Sequence, residues 1–169
     1  MISHSSRRGW LLAAVAAAVI VVDQASKWAV ENFSPPGSFR VIVPGYLNFI
    51  HTDNPGVAFG MFADSETPWR APLLIAFTLL VIAFMVWLLF TNRAGGPLGR
   101  FGMAFVLGGA AGNLLDRVLR RSVTDFIDFH VGAHHWYTFN LADAAIFIGA
   151  LLILFEISYD WRHTRQEHA

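Results

Sequence analysis

The stretch from residue 71 to residue 90, APLLIAFTLLVIAFMVWLLF, decides the fold class. It carries no charge, and at about 1.5 Å per residue it is long enough to cross a hydrocarbon core of roughly 30 Å. The rest of the chain agrees, because 55% of the 169 residues are hydrophobic and only 14% are charged. The sequence therefore predicts an integral membrane protein.

Three further segments have the composition of membrane helices, at about residues 10–30, 97–115 and 139–159. The first reaches spanning length only if it continues through DQASKWAV, which places Asp23 and Lys27 within or at the edge of the bilayer. It is predicted to be retained, because no small-x-small cleavage pattern follows its apolar run. The sequence thus predicts four transmembrane helices in a single domain, residues 1–169.

The two longer connections have unusual composition. Residues 38–62 are rich in Val, Ile, Phe and Tyr and are interrupted by Pro-Gly and Asn-Pro-Gly, which predicts a small β-sheet. Residues 122–139 form a loop of similar character between helices 3 and 4. The alternative is an amphipathic loop surface resting on lipid. Both connections lie on the same side of the bilayer, and a slight excess of arginine on the other side predicts cytoplasmic termini.

Composition argues against several partners and chemistries. The formal net charge is zero and no basic block is present, so no nucleic-acid partner is expected. The chain has no cysteine, which removes disulfides, thiolate nucleophiles and the strongest zinc motifs. His130, His134 and His135 lie in a Gly-containing segment without an HExxH pattern, so neither a metal nor a cofactor is predicted.

Charged residues inside a membrane are costly and usually face a partner or a polar cavity. Asp23 and Lys27 are four residues apart, so they share a helix face. They are expected to form an ion pair that ties helices together. Ser26 is adjacent to Lys27 and does not face it, which argues against a Ser/Lys nucleophile.

Two Asn-x-x-Asp pairs lie near the end of helix 3 and the start of helix 4: Asn113 with Asp116, and Asn140 with Asp143. At spacing three, each pair shares a helix face, where the amide can donate a hydrogen bond to a carboxylate. Arg117 follows Asp116 and compensates acid nearby. Asp143 has no Lys or Arg within ten positions, so it is the candidate to share a proton with a second carboxylate.

Spacing does not identify that second carboxylate. Asp116, Asp125 and Asp128 can each fold back over the start of helix 4. Two acids that share a proton can activate a water for attack on an amide without a cofactor. A loop acid can instead cap helix 4, where the macrodipole favours negative charge. A small proton-coupled transporter with a relay of Asp23, Asp116 and Asp143 is the alternative function.

Five motifs in order carry a family resemblance: VVDQASK (21–27), NPGVAFG (54–60), GGAAGNLLDR (108–117), VTDFIDF (123–129) and FNLADAAI (139–146). Together they resemble lipoprotein signal peptidase, or signal peptidase II, over nearly the whole chain. The resemblance implies a bacterial inner-membrane aspartic endopeptidase with four transmembrane helices and a small periplasmic sheet. Such an enzyme removes signal peptides from prolipoproteins, cleaving on the N-terminal side of a diacylglyceryl-modified cysteine.

The same resemblance assigns roles to residues. It implies a catalytic dyad of Asp125 in VTDF and Asp143 in FNLAD, with Thr124 where the family more often has Val. The residues expected to bind substrate or to shape the pocket are Asp23, Lys27, Asn54, Gly56, Asn113, Asp116, Arg117 and Asn140. The expected partners are diacylglyceryl-modified prolipoproteins and membrane lipid. The protein is expected to be a monomer with its active site near the periplasmic face.

Overall fold

The computed structural model describes residues 4–56, 69–91 and 93–167. The helices are α1 (His4–Phe33), α2 (Arg70–Phe90), α3 (Pro97–Arg120) and α4 (Leu141–Glu167), and the strands are β1 (Phe39–Val43), β2 (Leu47–Asn54), β3 (Val123–Val131) and β4 (His134–His135). All four helices are long and apolar enough to cross a membrane. The predicted fold of four membrane helices with a small sheet is confirmed.

Three helices extend beyond their predicted ends. α1 continues past residue 30 to Phe33, α3 past residue 115 to Arg120, and α4 past residue 159 to Glu167. Hydropathy marks the part of a helix that matches the bilayer, whereas the additional turns carry polar residues that hydropathy does not count as membrane. α4 also begins two residues later than predicted, because Asn140 caps its first turn.

Small residues allow α3 to pack closely against its neighbours. A Cβ atom at Gly102 would lie 2.6 Å from the carbonyl oxygen of Gly149 in α4, and one at Gly108 would lie 2.8 Å from that of Ala16 in α1. Such a close approach of two helix backbones requires residues without a side chain at the contact. In the apolar segment of α3, 56% of residues are buried inside the protein, against 22% or less in the other spans. α3 is the central helix.

The four strands form one antiparallel sheet in the order β1-β2-β3-β4. The pairing of β2 with β3 shifts register between Phe49 and Thr52, after which Thr52 lies opposite Asp125. Asn54 lies opposite Val123 in the same ladder. The sheet thereby brings Asn54 next to the carboxyl group of Asp125.

The sheet draws on both of the long connections. β1 and β2 lie within the predicted region 38–62, and residues 57–62 of that region are outside the described residues. The loop predicted between helices 3 and 4 instead contributes β3, the longest strand. Its first three residues are all buried, because β3 contacts α1 and α3 as well as β2. A strand covered on both faces lacks the alternation that identifies a surface strand.

Candidate active site

A buried polar cluster lies at one end of the helices, beside the sheet. It is contributed by α1, the C-terminal half of α3, the start of β3 and the residue that precedes α4. Its most buried members, each at most 5% exposed, are Asp23, Lys27, Asn113, Asp116, Thr124, Asp125 and Asn140. Buried polar and charged groups are costly unless their neighbours satisfy them, so their partners define the site.

Asp125, the third residue of β3, is held by two amides. Nδ2 of Asn54 donates a hydrogen bond to Oδ2 of Asp125 at 2.8 Å, and Nδ2 of Asn140 donates to Oδ1 at 2.6 Å. Asp125 as a whole is 2% exposed. Both donors are neutral, so they orient the carboxyl group without supplying a compensating charge.

Asp143 lies in the first turn of α4, where it forms a capping box with Asn140. The backbone N–H of Asp143 donates to Oδ1 of Asn140 at 3.0 Å, and the backbone N–H of Asn140 donates to Oδ2 of Asp143 at 3.4 Å. The other carboxyl oxygen of Asp143 accepts a hydrogen bond from Nδ2 of Asn113 at 2.8 Å. The FNLAD motif is therefore both a helix start and a part of the site.

Asn140 thus contacts both acids, through its side chain to Asp125 and through its backbone to Asp143. Burial, and then the negative charge of Asp143, raise the pKa of Asp125 to about 7, against the opposing effect of the hydrogen bonds from Asn54 and Asn140. An unperturbed aspartic acid has a pKa of about 3.9 and is ionised at neutral pH. Two carboxyl groups in this setting can share one proton.

Asp128, the second acid of β3, has different partners. Nδ2 of Asn48 donates to its Oδ2 at 2.8 Å, and Nδ1 of His135 lies 2.9 Å from its Oδ1. The ring of His135 stacks on that of His130 with centroids 4.6 Å apart. Burial acts to raise the pKa of Asp128, but the hydrogen bonds from His135 and Asn48 outweigh it, and the pKa lies below its usual value. Asp128 is therefore an ionised acid of the sheet.

Asp116 belongs to an ion-pair network that adjoins Asp125 and Asp143 through Asn113 and Asn140. Nζ of Lys27 lies 2.6 Å from Oδ2 of Asp116 and 2.8 Å from Oδ2 of Asp23, and it donates to Oδ1 of Asn113 at 2.9 Å. Lys27 and Asp23 are completely buried. The predicted ion pair between them is confirmed, and the contacts with Asp116 and Asn113 connect α1 to α3.

Asp23 also caps α4. Its Oδ1 accepts a hydrogen bond from the backbone N–H of Ala142 at 2.9 Å. An acid at the start of α4 was one of the expected alternatives, but it was expected from the loop before that helix. The acid that caps α4 belongs instead to α1, because Asp23 faces both α3 and the first turn of α4.

Arg117 connects the cluster to the end of β2. Its Nη2 donates to the carbonyl oxygen of Gly56, and its Nη1 to that of Asn113, both at 3.3 Å. The backbone N–H of Gly56 donates to Oδ1 of Asn54 at 2.9 Å, which leaves Nδ2 of Asn54 to face Asp125. Every residue predicted for the site lies in this connected network.

The comparisons with known proteins agree with this geometry. The family model described as signal peptidase (SPase) II matches residues 15–159 of the chain. The chain belongs to the signal peptidase II family. Curated relatives include the lipoprotein signal peptidase of Solibacter usitatus, 38% identical over 88% of this chain and 90% of the relative. That of Brucella ovis is 40% identical over 94% of this chain and 96% of the relative.

A solved structure of a bacterial membrane enzyme superposes on the chain with a TM-score of 0.78 at 25% identity, covering 89% of this chain and 88% of that one. Membership of the signal peptidase II family indicates an aspartic-type peptidase that is embedded in the membrane by several helices. The predicted family and reaction class are confirmed. The alternative of a proton-coupled transporter gains no support.

Two residues of the signal peptidase II network were missed from the sequence. Nε2 of Gln24 donates to Oδ1 of Asp116 at 3.0 Å and to Oδ2 of Asp23 at 3.2 Å. Glu31 binds side chains of α3 and β3. Its signal is visible in retrospect, because Asp23, Lys27 and Glu31 recur every four residues along one face of α1. Gln24 is marked only by being polar at the end of an apolar run.

Proposed function

We propose that this protein removes signal peptides from bacterial prolipoproteins, with Asp125 and Asp143 as its catalytic dyad. The observation that carries the proposal is the contact of both carboxyl groups with Asn140, at 2.6 Å to Oδ1 of Asp125 and 3.4 Å to Oδ2 of Asp143. The two other candidate acids of this region are bound by their own partners, a buried lysine for one and a histidine for the other.

The dyad works with one proton between its two carboxyl groups. The raised pKa of Asp125 keeps that proton in the site near neutral pH. The ionised carboxylate takes a proton from a water, whose oxygen attacks the carbonyl carbon of the scissile amide while the other acid protonates the carbonyl oxygen. When the tetrahedral intermediate collapses, the C–N bond breaks and a proton passes to the leaving nitrogen.

The asparagines set the geometry of this chemistry. Asn54, Asn113 and Asn140 donate to the dyad through neutral amides. A lysine or arginine at these positions would favour ionisation of both acids and would oppose the sharing of a proton. Neutral donors orient the carboxyl groups and leave the proton in place.

Lys27, Asp23 and Asp116 support the site from beneath. Each is at most 1% exposed, so we assign them to the support of the dyad instead of contact with the substrate. Nζ of Lys27 donates a hydrogen bond to Oδ1 of Asn113, so that Nδ2 of Asn113 faces Asp143. Asp23 fixes the first turn of α4, which carries Asp143.

Asn54, Gly56 and Arg117 are the residues we assign to the substrate. Asn54 and Arg117 are partly exposed, and the contact of Arg117 with Gly56 places all three where β2 ends beside the dyad. A peptide that approaches Asp125 from the sheet would meet the side chains of Asn54 and Arg117 first, and the buried Gly56 holds these two side chains through its backbone. Their amide and guanidinium groups can donate to peptide carbonyl oxygens.

The substrate is a prolipoprotein whose cysteine carries diacylglycerol, and the bond on the N-terminal side of that cysteine is cut. Two acyl chains and the signal helix confine such a substrate to the bilayer, which provides much of the positioning that catalysis requires. The membrane helices expose large apolar side chains, among them Phe77, Leu80, Phe147 and Phe155. These surfaces suit contact with lipid and with acyl chains.

The dyad lies near the periplasmic face of the bacterial inner membrane, and both termini are cytoplasmic. The end of α1, the end of α3, the first turn of α4 and the sheet all meet at the site, so the start of α1 and the end of α4 lie at the opposite end of the bundle. The protein acts as a monomer, because one chain supplies the dyad and its supports.

Cleavage of a defined substrate tests this function. The protein is purified in detergent and incubated with a prolipoprotein, with or without the diacylglyceryl group, and the products are analysed by mass spectrometry. We expect a product that begins at the modified cysteine, and no product from the unmodified substrate or from an Asp143→Asn preparation. Equal cutting of both substrates, or a cut elsewhere, would contradict the proposal.

A further inference from the structure

A two-residue turn presents Asp125 to the site. α3 ends at Arg120 and β3 begins at Val123, so Arg121 and Ser122 make the connection. Arg121 has a φ of 63°, in the left-handed region that residues with side chains rarely adopt. Asp125 follows only two residues after the start of β3, so its position depends on how this turn is held.

Glu31 binds residues on both sides of the turn. Its Oε1 accepts a hydrogen bond from the hydroxyl of Thr124 at 2.7 Å, and the same oxygen forms an ion pair with Nη1 of Arg120. Arg120 is the last residue of α3, and Thr124 is the residue before Asp125. One carboxylate oxygen near the end of α1 thus joins the end of α3 to the strand that carries the dyad acid.

The two contacts differ in their surroundings. Thr124 is 2% exposed, whereas the side chains of Arg120 and Glu31 are 37% and 26% exposed. A partly exposed ion pair adds little to stability by itself, because solvent screens it. A buried hydroxyl with a charged acceptor is a stronger and more directional contact. The contacts of Glu31 are therefore better suited to holding Thr124 in place than to stabilising the whole fold.

We propose that Glu31 is a positioning residue for Asp125, acting through Thr124 and Arg120. It fixes the turn and the start of β3, so that the carboxyl group of Asp125 reaches Nδ2 of Asn140, the residue that also contacts Asp143. This inference rests on the proposed function, since it assumes that Asp125 is a member of the dyad. Glu31 itself touches neither acid of the dyad in any contact that the described residues show.

The test measures kcat and KM for cleavage of diacylglyceryl-modified prolipoprotein by folded variants. Glu31→Ala removes the acceptor, and Thr124→Val removes the hydroxyl while preserving the shape of the side chain. We expect a fall in kcat of about tenfold in each with KM nearly unchanged, as misplacement of a reacting group by about 1 Å can cost about 10²-fold. Thr124→Ser, which keeps the hydroxyl, is expected to restore the wild-type kcat.

Two further variants make the result specific. Asn32→Ala is the matched control, because Asn32 lies beside Glu31 and its side chain bonds within α1, to the carbonyl oxygen of Trp28. The double variant Glu31→Ala/Thr124→Val is expected to have the kcat of Glu31→Ala alone, because both changes remove the same contact.

The outcomes separate this inference from the proposed function. If Glu31→Ala and Thr124→Val cleave like Asn32→Ala while Asp125→Asn is inactive, the positioning role is wrong and the dyad stands. Multiplication of the two losses in the double variant would also overturn the role, since the residues would then act independently. If Asp125→Asn cleaves like wild type, the proposed dyad itself is wrong.

Discussion

The buried ammonium group of Lys27 donates to Oδ1 of Asn113 at 2.9 Å. An asparagine amide has one acceptor and one donor end, so this contact fixes which end faces Asp143. Nδ2 of Asn113 donates to Oδ1 of Asp143 at 2.8 Å as a result. The charged network beneath the site thereby determines a hydrogen bond within it.

Replacement of Lys27 by methionine tests how much this network contributes to the stability of the fold. Lys27→Met leaves Asp23 buried without its cation and leaves Asp116 with only the more distant Arg120, whose Nη1 lies 3.9 Å from its Oδ1. Loss of one partner of a buried ion pair typically costs about 3–5 kcal/mol. We expect a large fall in Tm in detergent, read from thermal unfolding. Arg40→Met is the control, because Arg40 is an exposed cation of β1. Equal Tm values for the two variants would show that the buried charges do not depend on Lys27.

The rate of cleavage is expected to depend on the proton of the proposed dyad. The pKa of Asp125 is raised to about 7, so this acid is protonated below that pH and loses its proton above it. Because the mechanism needs one protonated and one ionised acid, kcat/KM should decline as the pH rises through about 7. An Asp128→Asn variant should show the same alkaline limb. A profile that stays flat well above neutral pH would contradict a shared proton.

The raised pKa of Asp125 also predicts a pH-dependent cost in stability. The unfolded chain loses this proton above about pH 4, whereas the folded protein keeps it until about pH 7, so stability falls as the pH rises between these values. Asp125→Asn does not titrate and escapes this loss, which can reach about 4 kcal/mol. The Tm of the variant relative to wild type should therefore increase from acid to alkaline pH. A constant difference would show that the pKa of Asp125 is not raised.

Gly112 is expected to tolerate no side chain. A Cβ atom there would lie 2.6 Å from Oδ2 of Asp23, the oxygen that also binds Lys27. Gly112→Ala should therefore displace Asp23 and destabilise the fold by about 1–3 kcal/mol, the usual range for overpacking. Gly9→Ala in α1 is the matched control, since no atom outside its chain neighbours and its own helix backbone lies within 4 Å of the added Cβ. Thermal unfolding that shows equal stability for both variants would be evidence against this packing.

Local pattern and resemblance predicted much of this molecule. The apolar run at 71–90 and the three weaker runs each became a helix, because length and hydropathy are sufficient to identify a span. The i, i+4 spacing of Asp23 and Lys27 gave their ion pair, since both residues lie on one face of one helix. The ends of α1, α3 and α4 were less accurate, because polar turns extend beyond the apolar runs.

Contacts between distant segments could not be read from spacing. Asn113 donates to Asp143 instead of Asp116, its neighbour at spacing three, and Asn140 donates to Asp125. The hydrogen-bond partner of an amide depends on how helices and strands pack. Lys27 and Asn113, for example, are 86 positions apart in the sequence. β3 was expected only as part of a loop of strand-like composition, and its pairing with β2 could not be read from that composition.

The most direct test of the account compares single Asp→Asn variants in the cleavage of diacylglyceryl-modified prolipoprotein. Asp125→Asn and Asp143→Asn should each lower kcat by about 10³-fold or more, because each removes one half of the acid–base pair. Asp128→Asn, which changes an acid of the same strand outside the dyad, should cleave at close to the wild-type rate. An active Asp125→Asn variant beside an inactive Asp128→Asn variant, both folded, would contradict the dyad.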